Sequence, residues 1–388
     1  IAYIRFASVL QILKKLKNLK NILKSLMANK NNNLNYKDIN YIKLAYEQAS
    51  INLGSTSANP SVGCVIVKNN SVISSGYTSL NGRPHAEYNA LKKKIDYKNS
   101  DIYVSLEPCS HYGKTPPCTN KIIRKKIKRV IFSVNDADVR SKKKAKKKFI
   151  DKKIKVRNNI LKKIGKDFYQ SYFLQSSNNL PFVDAKLAIS KDYYTINLKE
   201  RWITNNQSRK LGNFIRSKYD CLVTTSKTIN DDNPLLDCRI EGLEKKTPDL
   251  VIIDRHLNIN KNSKVFKKKN RKIYILTSTN NTSKKDYFKK RGVKIVQIED
   301  INLNIRNVFY HIKNLGFNRI LIESGITFLN KAIMSNIVKN FYLFKSSRML
   351  KSKGHNNSNV LIFKKAKITE KNRIKVNLQE DILYKVKL

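Results

Sequence analysis

Residues 101–134 read DIYVSLEPCSHYGKTPPCTNKIIRKKIKRVIFSV, and the element order inside this stretch decides the fold. Asp101 to Leu106 is rich in β-formers and predicts a strand. A loop with Gly113 and the pair Pro116-Pro117 follows. About Cys118 to Lys126 then reads as a basic helix, and Arg129 to Val134 as the next strand.

Upstream, DINYIKLAYEQASIN at 38–52 predicts a helix that Gly54 helps to end. Val62 to Val67 is an apolar run, Asn69-Asn70 a turn, and Val72 to Tyr77 the returning strand of a hairpin. Pro84 stands where a first helical residue is expected, before HAEYNALKKK. The order helix–strand–strand–helix–strand–helix–strand predicts a sandwiched α/β domain over 37–145. Residues 146–180 read as a linker region. The second domain, 181–388, opens with the strand PFVDAKLAI. It alternates strands at 221–225, 250–253, 273–276, 293–296, 319–322 and 338–344 with helices near 205–217, 283–290, 304–315 and 326–334. That alternation predicts a largely parallel sheet covered on both faces.

The chain has 388 residues, long enough for two cores. No apolar run is long enough to cross a bilayer, so no integral membrane association is expected. The formal charge is +51, but the lysines are spread along the whole chain. A nucleic-acid surface needs a clustered footprint, often with interleaved aromatics, and Lys142 to Lys148 lacks them. No specific nucleic-acid partner is therefore expected. Five cysteines in so long a chain are no disulfide framework and suit a reducing compartment. Residues 1–36 hold a basic, weakly amphipathic leader or a mis-set start, expected to stand outside the fold.

Three elements carry the chemistry: His85-Ala86-Glu87, Pro108-Cys109, and Cys118. A catalytic zinc takes three protein ligands and leaves one position open. His85, Cys109 and Cys118 supply three. Glu87, two residues from the histidine, can shuttle a proton without binding metal. This is the pattern of zinc nucleobase deaminases. A structural zinc would need a fourth protein ligand, and His111 is the available one. Deaminases acting on nucleic acids put two residues between the cysteines. Here SHYGKTPP intervenes and brings His111 and Lys114 over the site, groups suited to a small phosphorylated substrate. Asn59, beyond the hairpin, offers an amide at the pocket mouth.

On NPSVGCVIV at 59–67, HAE at 85–87 and LEPCSHYGKTPPC at 106–118, the chain resembles the bifunctional riboflavin-biosynthesis deaminase/reductases. KLAISKD at 186–192, RWIT at 201–204, SKTINDDNPLLDCR at 226–239 and LIESG at 321–325 extend the resemblance to about residues 38–388. It implies a cytidine-deaminase-like α/β/α domain followed by a dihydrofolate-reductase-like α/β domain. The first would hold one Zn2+ per chain and deaminate 2,5-diamino-6-(5-phosphoribosylamino)pyrimidin-4(3H)-one, with Asn59 and His111 on the substrate. The second would use NADPH to reduce the ribosyl group of the product to ribityl. Ala188, Trp202, Thr228, Asp232 and Gly325 match cofactor contacts. Arg216, Leu236, Arg239 and Glu323 match substrate contacts. A homodimer or homotetramer is implied as well.

The second half departs from the family pattern at three places. Tyr193 replaces a glycine after Asp192, so that turn is expected to differ. Glu200 falls near a serine's position, where a carboxylate would repel substrate phosphate. Ser324 replaces the first of two glycines. A deaminase with an impaired or non-catalytic C-terminal domain is the first alternative. A nucleic-acid-editing deaminase, or a basic nucleic-acid-binding protein, is the second.

Overall fold

The computed structural model describes residues 36–175, 180–267, 271–299 and 304–388. The leader expected at 1–36 lies, except for Tyr36, outside the described residues. The chain divides into two compact units, with the boundary at 178/179. No helix among the described residues is long and apolar enough to cross a membrane.

The first unit opens with helix α1 (Tyr36–Ser50) and the hairpin β1 (Gly63–Lys68) and β2 (Ser71–Tyr77). Asn69 and Asn70 both take left-handed backbone, at φ 49° and 62°, as a two-residue hairpin turn demands. Helix α2 (Ala86–Ala90), strand β3 (Asp101–Leu106), helix α3 (Cys118–Arg124) and strand β4 (Arg129–Val134) follow. The sheet order is β2-β1-β3-β4-β5, antiparallel across β2-β1-β3 and parallel across β3-β4-β5. Gly63 is required by close packing. A Cβ there would run into the Ala45 carbonyl of α1.

Two expectations need correction here. Pro84 is not the first helical residue. Helix α2 starts at Ala86, and His85 is its N-cap. Nor does that helix continue through the lysines. The Ala90 carbonyl accepts from Ser74 Oγ (2.7 Å) and Tyr97 Oη (2.9 Å), and Leu91 turns into the core. The segment expected as a linker is also largely part of the first unit. Helix α4 (Lys144–Ile150) leads into strand β5 (Lys155–Arg157), which pairs with β4. Helices α5 (Lys162–Phe168) and α6 (Gln170–Gln175) then cover the sheet. Phe149, Ile160 and Tyr169 are buried in this core, and Tyr169 Oη bonds Ser105 Oγ at 2.6 Å. Burial of these apolar side chains ties the lysine-rich segment to the sheet.

Asp38, fully buried at the start of α1, binds the far edge together. It accepts from Tyr103 Oη (2.8 Å), Arg129 Nη2 (3.0 Å) and Arg157 Nη1 (3.0 Å). Removing the charge weakens the hold on two partly buried guanidinium groups, of which Arg129 keeps Asp101 at 2.9 Å. Asp38→Asn should therefore destabilise this unit by about 3 kcal/mol. Urea unfolding of its own transition checks this, and an unchanged midpoint would contradict it.

The second unit is built on a nine-stranded sheet. Its order is β11-β10-β9-β8-β12-β6-β13-β16-β15. Strands β6 (Phe182–Ile189), β8 (Cys221–Thr225), β9 (Asp249–Ile253), β10 (Ile273–Thr277), β11 (Lys294–Gln297), β12 (Arg319–Ile322) and β13 (Val338–Lys345) run parallel. The alternation in sequence led to this parallel sheet. It missed the antiparallel edge of β16 (Ile382–Lys387) and β15 (Arg373–Ile374), and a two-stranded ribbon of β7 (Tyr194–Asn197) with β14 (Gly354–Asn357). Alternate residues feed two apolar cores, such as Val223 and Val251 on one face and Leu222 and Leu250 on the other.

The turn at Tyr193 is not rebuilt, contrary to expectation. Tyr193 itself takes φ 73°, the left-handed backbone a glycine adopts freely. Asp192 fixes the turn by accepting from the Leu350 and Lys351 N–H groups (3.0 and 2.7 Å). The ring packs on the core, with Lys345 Nζ 4.2 Å from its centroid. Packing thus offsets a backbone cost of order 1 kcal/mol.

Candidate active sites

In the first unit, Glu107 directly follows the last residue of β3, Leu106, and stands one proline before Cys109. The buried Glu107 carboxylate accepts from the N–H groups of Asp136 (3.1 Å), Lys143 (3.0 Å) and Ala145 (3.2 Å). It fastens the strand end that carries Cys109, a role the sequence did not signal. Cys118 begins α3 and donates its N–H to Cys109 Sγ at 3.3 Å. His85, at the N-terminus of α2, completes the group.

His85 Nδ1 lies 3.6 Å from Cys109 Sγ and 3.5 Å from Cys118 Sγ. Ligands of a tetrahedral zinc, at about 2.3 Å for sulfur and 2.05 Å for nitrogen, stand about 3.6 Å apart. The three donor atoms therefore already surround a zinc-sized point, all within 4.8 Å of one another. His111 is not part of this group. Its Nδ1 bonds Ser141 Oγ at 2.7 Å. Three protein ligands with a position to spare fit a catalytic rather than a closed structural site.

The electrostatics agree. The Cys118 thiol, with help from His85 and the Cys118 N–H, holds Cys109 down at about 4, so it is a thiolate. That charge and burial push the Cys118 thiol well up, and the hydrogen bond to Cys109 raises His85. A metal must displace the protons of both, so its binding weakens in acid. Glu87 is 3% exposed, and burial followed by the Cys109 charge lifts its carboxyl to about 7. A carboxyl poised near neutrality suits a group that both takes and gives a proton.

Around this centre the structure brings the other residues to one end of the unit. The half-buried Asn59 donates Nδ2–H to the Gly82 carbonyl at 3.2 Å. Lys114 is exposed on the loop between the cysteines. Arg83, which sequence reasoning passed over, donates from Nη1 to Thr115 Oγ1 at 2.6 Å.

The second unit contains a cavity of about 1040 Å3. Ala188, Trp202, Arg216, Thr228, Asp232, Leu236, Arg239, Glu323 and Gly325 all line it. Helix α7 (Asn206–Arg216) carries Arg216, and its N-cap Asn205 accepts from the Ser208 N–H. Helices α8 (Ser226–Asp232) and α11 (Ile326–Met334) meet where the Gly325 N–H donates to Thr228 Oγ1 at 3.1 Å. Trp202 is clasped between Arg201 and Arg209, each guanidinium 4.9 Å from the ring.

Arg216, matched to a substrate contact by the resemblance, has its guanidinium engaged within the protein. It grips Glu323 with both sides, Nε to Oε1 at 2.5 Å and Nη2 to Oε2 at 2.9 Å. Its Nη1 is taken by Asn213 Oδ1 and the Asp237 carbonyl, both at 3.0 Å. A buried guanidinium finds its best partner in a bidentate carboxylate. Lys186 Nζ approaches the same carboxylate at 3.5 Å. Two cations on one carboxylate leave a surplus positive charge on the cavity wall. Burial lowers Lys186, the member whose charge is least compensated. Glu200, at the rim, is matched by Arg348 at 2.9 Å, so its charge does not stand alone.

Burial alone would raise Glu323, but Arg216 and then Lys186 carry it down to about 2. A depressed carboxyl stabilises the fold fully above its unfolded value and loses that contribution as pH falls through the folded one. The second unit should lose about 3 kcal/mol between roughly pH 5 and pH 2 from this group. Urea unfolding followed by the single tryptophan, Trp202, reads it. Glu323→Gln should flatten the pH dependence, and equal slopes would contradict the assignment.

Comparison with known proteins finds relatives of both units. Residues 35–134 match the cytidine and deoxycytidylate deaminase zinc-binding region, and residues 181–357 the RibD C-terminal domain. The riboflavin biosynthesis protein RibD of Aquifex aeolicus is 30% identical over 308 residues, which cover 78% of this chain and 85% of that protein. That of Buchnera aphidicola is 30% identical over 330 residues, covering 81% and 88%. Among solved structures, Acinetobacter baumannii RibD superposes with a TM-score of 0.74 at 23% identity, covering 90% of this chain and 98% of that one. A diaminohydroxyphosphoribosylaminopyrimidine deaminase/5-amino-6-(5-phosphoribosylamino)uracil reductase from Thermotoga maritima gives 0.75 at 23% identity, covering 91% and 99%. The chain belongs to the RibD family of riboflavin-biosynthesis proteins, a zinc-dependent deaminase fused to an NADPH-reductase-type domain.

Proposed function

We propose that the first unit deaminates 2,5-diamino-6-(5-phosphoribosylamino)pyrimidin-4(3H)-one and that the second reduces the ribosyl group of the product to ribityl. His85, Cys109 and Cys118 hold one zinc, and the observation that carries this is their tetrahedral N···S spacing of 3.5 and 3.6 Å beside the buried Glu87. Zinc, when bound, makes a water nucleophilic at neutral pH. Glu87 takes one proton from the attacking water and passes it to the ring nitrogen, then takes the second from the hydroxyl so formed on the ring carbon and passes it to the amine as that leaves. Asn59 orients the pyrimidine, and His111 and Lys114 meet its phosphate.

In the second unit, NADPH when bound supplies the hydride. Trp202, Ala188, Thr228, Asp232 and the Gly325 backbone form its seat. Glu323, locked by Arg216, stands beside the sugar, and Lys186 holds a proton against the same wall. With Arg216 engaged, Arg239 and its neighbour Arg209, two of the cavity's lining cations, are assigned to the substrate phosphate. Leu236 closes the wall behind it. A homodimer or homotetramer goes with this reading.

Ammonia release tests the first step directly. The zinc-loaded protein should release one ammonia per pyrimidine consumed, chelation should stop it, and zinc should restore it. Ammonia release that survives full chelation would sink the reading.

A further inference from the structure

A corner of the first unit, on the loop between the two cysteines, gathers positive groups around an empty point. Gly113 has no side chain. A Cβ there would stand 3.7 Å from His111 Nε2 and 3.8 Å from Arg83 Nη2. The two nitrogens therefore converge on the same open side of one glycine. Each is aimed by a separate bond. Arg83 Nη1 is held by Thr115 Oγ1 at 2.6 Å, which leaves Nη2 turned to the gap. His111 Nδ1 is held by Ser141 Oγ at 2.7 Å, and that oxygen accepts the Ser110 N–H at 3.1 Å. The serine hydroxyl has its own hydrogen to donate to Nδ1, and in that arrangement the imidazole proton sits on Nε2, facing the gap.

No carboxylate neutralises this corner. Arg83 makes no ion pair among the described residues. Asp138, whose field reaches His111, is already spanned by Arg140 at 2.5 and 2.9 Å. Lys114 adds an exposed ammonium on the same loop. A guanidinium and an imidazole N–H converging on one gap fit a tetrahedral oxyanion, with one oxygen for each donor.

We propose that Arg83 is a positioning residue that, with His111, binds the phosphate monoester of the pyrimidine substrate and makes the deaminase selective for phosphorylated substrates. The proposal rests on the deaminase reading and deepens it. Losing a charge-assisted bond of this kind costs roughly ten- to a hundredfold in affinity. Arg83→Ala should raise KM for the phosphorylated pyrimidine by that factor, with kcat within about twofold, and leave kcat/KM for the dephosphorylated pyrimidine unchanged. Arg83→Lys should recover part of the loss. Thr115→Ala, which removes the clamp but keeps the cation, should lose less than Arg83→Ala, and only on the phosphorylated substrate. An equal loss on both substrates, in either variant, would make Arg83 a mere loop brace and overturn the proposal.

A measurement without turnover separates this from the deaminase reading. Calorimetric binding of ribose 5-phosphate to the zinc-loaded chain is compared with and without Arg83→Ala, in an Arg209→Ala/Arg239→Ala background that removes both cations assigned to the second unit's phosphate. Weaker binding without Arg83 supports the anion site even if no ammonia is released. Unchanged binding overturns it even in an active deaminase.

Discussion

Glu87→Gln should lower ammonia release by roughly a hundred- to ten-thousandfold while one zinc per chain is retained. The size of the effect follows from what the carboxyl does. It is buried beside Cys118 and its carboxyl is lifted to about 7, so at neutral pH it can both accept and return a proton. Glutamine keeps the shape and the burial and loses the proton exchange. It is not among the three donors that converge on a metal-sized point, so the metal should stay. A variant that keeps full activity would remove Glu87 from proton transfer. One that loses zinc together with activity would make it a ligand.

Cys109→Ala should empty the site, with zinc falling from one per chain to below about a tenth and turnover falling with it. Cys109 is the group already ionised, held at about 4 by the Cys118 thiol and His85. Without it, His85 and the Cys118 thiol remain as two donors, too few for a tight zinc site, and nothing keeps Cys118 close to its partner. Metal analysis of the purified variant reads this outcome, with circular dichroism to show that the sheet persists. Unchanged zinc content would take Cys109 out of the ligand set.

Both predictions use residues that were legible in the sequence, and the reason is chemical. Metal binding admits few residue types, and His85, Cys109 and Cys118 come from a chain with only five histidines and five cysteines. Their spacing stands out against that background. Basic residues have no such contrast. Arg83, Lys186 and Arg209 belong to 79 lysines and arginines, and only their geometry separates them from solvated surface groups. Glu107 was hidden for another reason. Its work is to accept three backbone N–H groups from residues about 30 to 40 positions away, a relation no local pattern records.

The fold divides in the same way. Periodicity and turn residues gave the hairpin at Asn69-Asn70 and the parallel strands of the second sheet, because local chemistry sets both. The β7–β14 ribbon pairs residues about 160 positions apart, with no apolar alternation to announce it. The segment 146–175 reads as linker because lysines crowd it. Tyr169 and Phe149 bury themselves in the first core regardless. At Tyr193 the sequence pointed to a changed turn, and core packing instead holds an aromatic residue in a glycine's backbone conformation.

The central claim is that one chain carries two activities in order, with the second dependent on the first. NADPH oxidation by the zinc-loaded protein, given the diaminopyrimidinone phosphate, tests it most directly. The account predicts oxidation that starts only with substrate, stops on chelation, and returns in the chelated protein when the deaminated pyrimidine is supplied instead. Deaminated product that accumulates while NADPH stays unoxidised would contradict it and confine catalysis to the first unit.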